Sequence, residues 1–495
     1  MDSDRASRVA WAESCLEAKA AAVAADPLRP TYHLAPRAGS CGDPNGPVYL
    51  GGRYHMSCQH GPGFRWGVPV PEWDGGDNGS ANIGWGHASN ADLVHCRHEP
   101  VALMPEPGSH DGNLCASGSA VLDDEGQPVI FYTAADPQSP CAARPADAQL
   151  REWIKDPGNP LIKAPAGVDD KAALAADSQA FRDPFLWREG DLWRLIVCSM
   201  IPGHGGAILR FQSTDLESRD YTGVMASGMG EHCIAWECPK FIPFGDKALL
   251  VVSPLFDNIG PNLRADVVHT IGDYKGDGEF APVEGLPLEI GGHDYFYATQ
   301  CLKAPDGRWL LRGMNLGGCS PDHPWTGNIP LPRVVRLTEE GRLAQEPARE
   351  LEALREEHWK SDAPAVDGEL AAGMSSATCE VVAELEPGSA DVIALEVRGS
   401  DGFASSTRIA WDQSAGELEF AGRRTPFELW PGEEAFRLHV FVDRVVVEVF
   451  INGRLAGTFR AGQDASDAAI RLVTEGGPAA LRAFDVWELH PGWEG

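Results

Sequence analysis

Three short segments of this 495-residue chain set a carboxylate one or two residues ahead of a proline: GDPNGPVY with Asp43, FRDPFLW with Asp183 and WECPKF with Glu237. Proline fixes the local backbone and withholds an amide donor, so each acid is expected on a rigid corner at the entry to a strand. A single Asp-Pro is an ordinary turn signal. Three such corners ahead of strand-like runs form a candidate catalytic set. The chemistry open to it is glycosidic cleavage, in which one carboxyl protonates the leaving oxygen while another attacks the anomeric carbon or activates water. Glu237 lies between Trp236 and Cys238, and burial beside such weakly polar neighbours would disfavour its ionised form, making it the expected acid. Asp43 follows a glycine in a looser, more polar turn and is expected to stay charged. Asp183 follows Arg182, a cation that would hold it ionised and let it grip sugar hydroxyls in the transition state.

Acids this distant in sequence need elements that bring strand starts together. Five hairpin-like runs begin at Pro47, Ser119, Pro184, Pro239 and Tyr297, each a β-rich stretch, a turn of the GGR, DEGQ, EGD, GDK or PDGR kind, and a second β-rich stretch. Similar units in series, 55 to 72 residues apart, predict a five-bladed β-propeller whose first strands line a central channel. A fourth acid, Asp294, precedes the fifth unit. Residues 1–30 predict an Ala-rich helix stopped at Asp26-Pro27, and 31–338 the propeller. The charged stretch 339–368 has helical spacing and reads as a connector. From 369 to 495 short alternating strands predict a β-sandwich, so the whole is all-β with one short N-terminal helix.

Composition removes other classes. With 72 Asp plus Glu against 41 Lys plus Arg, the net charge of −31 repels nucleic-acid phosphates and anionic membrane surfaces. No run of 18 apolar residues exists to span a membrane. No signal peptide is visible in the first 30 residues, which favours the cytoplasm, while the sequon Asn78-Gly79-Ser80 favours secretion. Twelve cysteines are too sparse for a disulfide scaffold and read as mostly free thiols. His87, His95, Cys96 and His98 have no zinc spacing, and Cys233 with Cys238 lacks a second pair, so neither metal nor cofactor is expected. Trp66, Trp85 and Trp325 are candidates to stack on sugar faces or to pack between blades.

These segments resemble glycoside hydrolase family 32, the invertase, inulinase, levanase and fructosyltransferase family. YHLAPRAGSCGDPNGPVYLGGRYHMSCQH is similar to its nucleophile signature, FRDPF to its Arg-Asp-Pro motif and WECPKF to its acid/base motif. WGHASNADLVH from Trp85, SGSAV from Ser117, YFYATQ from Tyr295, LPR ending at Arg333 and FVDRVVVEVFING from Phe441 extend the likeness over nearly the whole chain after Thr31. The resemblance implies a five-bladed propeller followed by a β-sandwich. It implies Asp43 as nucleophile, Glu237 as general acid/base and Asp183 as transition-state stabiliser, with the Asp43 and Glu237 carboxyls about 5–5.5 Å apart. Gln59, Trp66, Ser117, Arg182 and Tyr297 fall where that family lines its fructose subsite.

Two positions depart from the family. Ser40-Cys41-Gly42 replaces the usual Trp-Met-Asn before the nucleophile, and Ala116 replaces an aromatic before Ser-Gly-Ser, both loosening the innermost subsite. The implied activity is retaining hydrolysis of terminal β-D-fructofuranosides, sucrose or a fructan, with a small sugar as the only expected partner. Transfer of the fructosyl group to another sugar, and a sugar-binding propeller impaired by the altered subsite, are the two alternatives.

Overall fold

Five short turns, each following a run of alternating apolar residues, set the architecture. Gly190 (φ 57°) and Gly245 (φ 70°) take the left-handed conformation that such tight hairpin turns require. The structure, a computed structural model, describes residues 2–62, 82–106, 108–112, 114–135, 137–162, 180–260, 263–276, 279–282, 285–317, 323–462 and 464–493. Five consecutive sheets begin with Gly39–Leu50, Cys115–Leu122, Arg182–Glu189, Cys233–Phe244 and Tyr297–Lys303 and grow outward by antiparallel pairing. Each of these innermost strands packs on the next, and the fifth packs on the first, giving the closed ring of a five-bladed propeller. Trp325–Thr326, which follows the fifth blade's second strand, pairs in parallel with Gly39 and Ser40 of the first blade and seals the ring through backbone hydrogen bonds.

Every innermost strand carries an irregularity at the same height. Against the second strand of its blade, two residues oppose one: Gly42-Asp43 against Gln59, Ser117-Gly118 against Tyr132, Asp183-Pro184 against Val197, Cys238-Pro239 against Val252, and Ala298-Thr299 against Gly313. These are β-bulges, which bend a strand and re-aim its side chains. They also explain how Pro184 and Pro239 sit in these strands, since a bulged residue owes the ladder no N–H, while Pro44 directly follows the bulge of its strand. The acids therefore lie within the strands, at the bulges, rather than ahead of them as the sequence suggested.

Two sheets of seven and six strands follow. Alternate residues of Thr378–Glu386 and Phe436–Asp443, among them Val381, Ala383, Leu438 and Val440, meet Ile393, Leu395, Ile409 and Leu472 of the opposite sheet in one apolar core. The stretch 339–368, expected as a helical connector, instead supplies Leu343–Pro347 to the fifth blade, a 3-10 turn at Arg349–Leu354, and Arg355–Lys360 to the seven-stranded sheet. Buried Leu351 and Leu354 anchor that turn, so packing overrides the charged, helix-like spacing. The N-terminal helix Asp2–Ala24 ends just before Asp26-Pro27, and its Ala12, Leu16 and Val23 pack on Val101 and Met104 of the propeller and on Val445 and Val446 of the sandwich.

Buried charges join the two halves. Asp443 accepts the backbone N–H groups of Thr31, Tyr32 and His33 at 2.6–2.9 Å and the His33 ring at 2.8 Å. His33 reaches Glu448 at 3.0 Å through its other nitrogen. Arg333 donates to Glu289 at 2.7 Å and to Glu448 at 3.3 Å, and all five of these side chains are closed to solvent.

Candidate active site

At one end of the channel the bulges of all five blades bring Asp43, Ser117, Asp183, Glu237 and Tyr297 together. Ser117 and Gln59 both donate to Asp43 Oδ2, Gln59 at 3.3 Å, and Gln59 also bonds Ser117 at 2.8 Å. Cys238 lies 3.8 Å from the same oxygen through its sulfur, while its backbone N–H donates to Asp183 Oδ2 at 2.9 Å. The Asp183 N–H donates in turn to Thr133 Oγ1 at 2.9 Å. Asp183 holds φ at 60°, a conformation non-glycine residues avoid and that concentrates at functional sites.

Glu237 is gripped from both sides. Arg182 donates to Oε1 from Nε (3.2 Å) and Nη2 (2.9 Å), and the Tyr297 hydroxyl donates to Oε2 at 2.9 Å. Arg182, Glu237 and Tyr297 each occupy the position just before the bulge of their blade, so equal register alone makes them neighbours. Asp183 stands one residue further along its strand and Asp43 two. The acids are thus staggered in height along the innermost strands.

The electrostatics differ from the sequence expectation. Burial pushes the Asp43 carboxyl up to about 6, with the charges of Glu237 and Asp183 adding to the effect and the Ser117 hydrogen bond and Arg264 opposing it. Asp43 is therefore not the freely charged acid of a polar turn. Burial likewise raises Asp183, because Arg182 spends its short contacts on Glu237 and stays 3.8 Å from Asp183. Glu237 does not rest among weakly polar groups: strand alternation turns Trp236 against Gly206 and Cys238 toward Asp43, leaving Arg182 and Tyr297 on the carboxylate.

Of the expected subsite residues, Gln59, Ser117, Arg182 and Tyr297 join this set, although Tyr297 is only 2% exposed and supports Glu237. Trp66 lies outside the described residues. Trp85 is fully buried and donates to Ala116 O at 3.1 Å, and Trp325 donates to Asp26 at 2.8 Å, so both are packing residues. Asp294 is more than half exposed, beside His293. Sequence reasoning missed Gln138, which accepts from Arg182 at 2.9 Å, and Arg264, which stacks 5.3 Å from the Tyr297 ring centre. Neither carries a local signal, since both come from the later strands and loops of their blades.

Comparison with known proteins bears on this arrangement. Residues 33–347 match the model of the glycosyl hydrolases family 32 N-terminal domain, and residues 350–488 match the glycosyl hydrolases family 32 C-terminal model. Raffinose invertase of Escherichia coli is 30% identical, covering 97% of this chain and 99% of that protein. Sucrose-6-phosphate hydrolase of Klebsiella pneumoniae is 31% identical, covering 94% of each. The fold is shared with a GH32 β-fructofuranosidase of Bombyx mori, at a TM-score of 0.78, 24% identity and 98% coverage of both chains. Fructan 1-exohydrolase IIa of Cichorium intybus gives the same TM-score at 22% identity, covering 94% of this chain and 98% of that one. Matched by the two domain models over most of its length, the chain belongs to glycosyl hydrolases family 32.

Proposed function

We propose that this enzyme hydrolyses terminal β-D-fructofuranosides with retention, through a fructosyl group carried on Asp43. The observation that supports this most directly is the convergence of Asp43, Asp183 and Glu237 on one channel mouth, linked through Cys238, Arg182 and Tyr297. Asp43 attacks the anomeric carbon while Glu237 gives its proton to the leaving oxygen; Glu237 then takes a proton from the water that releases fructose. Asp183 accepts hydrogen bonds from the sugar hydroxyls as positive charge develops on the ring. The charge of Glu237 helps to push Asp43 up, so a proton held by Glu237 favours the ionised Asp43 that the attack requires. Fructose release from sucrose, inulin and levan, read by product chromatography, tests the reading. Wild type equal to Asp43→Ala on all three would sink it.

A second reading concerns the leaving group. Arg264 makes no hydrogen bond or ion pair among the described residues, in a chain where acids outnumber bases 72 to 41. A guanidinium stacked on the tyrosine that holds the proton donor suits an anionic leaving sugar, and several relatives are named sucrose-6-phosphate hydrolases. Comparing kcat/KM on sucrose and on its 6-phosphate decides it: Arg264→Ala is expected to lose about tenfold or more on the phosphorylated sugar relative to its effect on sucrose. Among the eleven described cysteines ten are buried and none is disulfide-bonded, which supports a reducing, cytoplasmic setting. No described helix is long and apolar enough to cross a membrane.

A further inference from the structure

Behind the Asp43 bulge two thiols face each other at close range. Cys41 Sγ and Cys58 Sγ are 2.7 Å apart, well inside ordinary non-bonded contact and only roughly 0.6 Å longer than a disulfide bond. They sit on adjacent antiparallel strands of the first blade, where Cys41 is paired with His60 and Cys58 with Pro44, so the bulge lies between them. Cys41 is two residues before Asp43, and Cys58 is directly before Gln59, which donates to both Asp43 and Ser117. Both cysteines line a cavity of about 30 Å³ shared with Met56, His60, His87 and His98. That is room for one water-sized molecule, and hydrogen peroxide is little larger.

We propose that Cys41 and Cys58 are an oxidisable pair, a modification site for a small peroxide, and that their disulfide lowers the activity of the site in front of them. One thiol sulfur attacks a peroxide oxygen, giving a sulfenic acid and water. The second thiol then displaces the sulfenic hydroxyl, the S–S bond forms, and its proton leaves in a second water. Overall two thiols and one peroxide give one disulfide and two waters, and an added dithiol reverses the change. Closing the sulfurs pulls Cys41 toward the neighbouring strand and strains the bulge that aims Asp43 at Ser117 and Gln59. Catalytic geometry tolerates little displacement, so kcat is expected to fall about tenfold.

The activity arm rests on the fructoside reading, whereas the chemical arm does not. Purified full-length protein is incubated with hydrogen peroxide, its remaining thiols are alkylated, and peptides are mapped by mass spectrometry without reduction. The expected result is one Cys41–Cys58 linked peptide, a tenfold fall in fructose release and recovery with dithiothreitol. Cys58→Ala and Cys58→Ser are expected to keep their activity under the same treatment. Absence of the linked peptide overturns the proposal, as does a link that leaves kcat unchanged or equal inactivation of the Cys58 variants. Should those variants not fold, the linked peptide and the dithiothreitol recovery on wild type still decide. A protein inactive on every fructoside before oxidation would instead sink the substrate reading while leaving the linked peptide to be scored.

Discussion

Asp43 is kept in a setting that disfavours its own charge. A carboxyl lifted from its ordinary value near 4 to about 6 binds its proton more tightly in the folded chain than in the unfolded one. The penalty is therefore absent below about pH 4 and complete above about pH 6, where it amounts to about 2–3 kcal/mol. Asp43→Asn should lose activity by about 10⁴-fold while raising Tm at pH 7, and calorimetry at pH 4 should find the gain gone. The same value predicts that kcat/KM falls as pH drops through about 6, because the nucleophile is then protonated. Tyr297→Phe removes the hydroxyl that donates to Glu237 Oε2, and such a hydrogen bond is worth roughly 1.5–3 kcal/mol where its acceptor is a carboxylate. A kcat reduced about ten- to hundredfold with KM little changed is the expected outcome, measured by steady-state kinetics on sucrose.

At the scale of the element, the five bulges do the positioning. The chain reaches the same height in every blade with an extra residue, and what changes from blade to blade is which residue fills each step. Arg182, Glu237 and Tyr297 share a step, and the arginine and the tyrosine both donate to Glu237; Asp183 and Asp43 occupy the next two steps. The second blade shows how tightly the step is made: a Cβ on Gly118 would lie 1.9 Å from Phe131 O, while the Gly118 N–H is held by Asn45 at 3.0 Å. Gly118→Ala is expected to destabilise by roughly 3 kcal/mol or more and to shift Ser117 off Asp43. A drop in the urea midpoint together with lower kcat would confirm it; unchanged values would show that the bulge is not needed.

At the scale of the molecule, the ionic set between propeller and sandwich anchors the start of the first blade to the second half of the chain. Burial alone would lower His33, but hydrogen bonds to Asp443 and Glu448, with their charges, lift it to about 9. A histidine raised on folding contributes stability that is whole below its unfolded value near 6.5 and lost as pH rises through about 9, here about 3 kcal/mol. Thermal scans from pH 6.5 to 10 should show a steeper fall for wild type than for His33→Gln. Substituting His33 also leaves two buried carboxylates short of a partner, a cost of roughly 3–5 kcal/mol. A flat difference between the two proteins across that range would remove His33 from the account.

The sequence by itself determined what local chemistry dictates. Alternating apolar runs closed by glycine turns specify hairpins, their number specifies the blades, and Asp-Pro, Arg-Asp-Pro and Glu-Cys-Pro mark corners where proline excludes a regular ladder. The helix stop at Asp26-Pro27 follows from the same rule. Environment was not legible, because it is built from residues far apart in the chain. Arg182 looked like the partner of Asp183 beside it, yet strand alternation hands it to Glu237, 55 residues on. Glu237 looked apolar-flanked because its neighbours in sequence are, although its neighbours in space are an arginine and a tyrosine from other blades. Arg264 and Gln138 gave no sign at all. LPR, FVD and VEV were visible as motifs, but only the docking of sandwich on propeller turns Arg333, Asp443 and Glu448 into one buried network. Residue types and short-range spacing fix which groups can do chemistry; their proton affinities and partners depend on which of them folding takes out of water together.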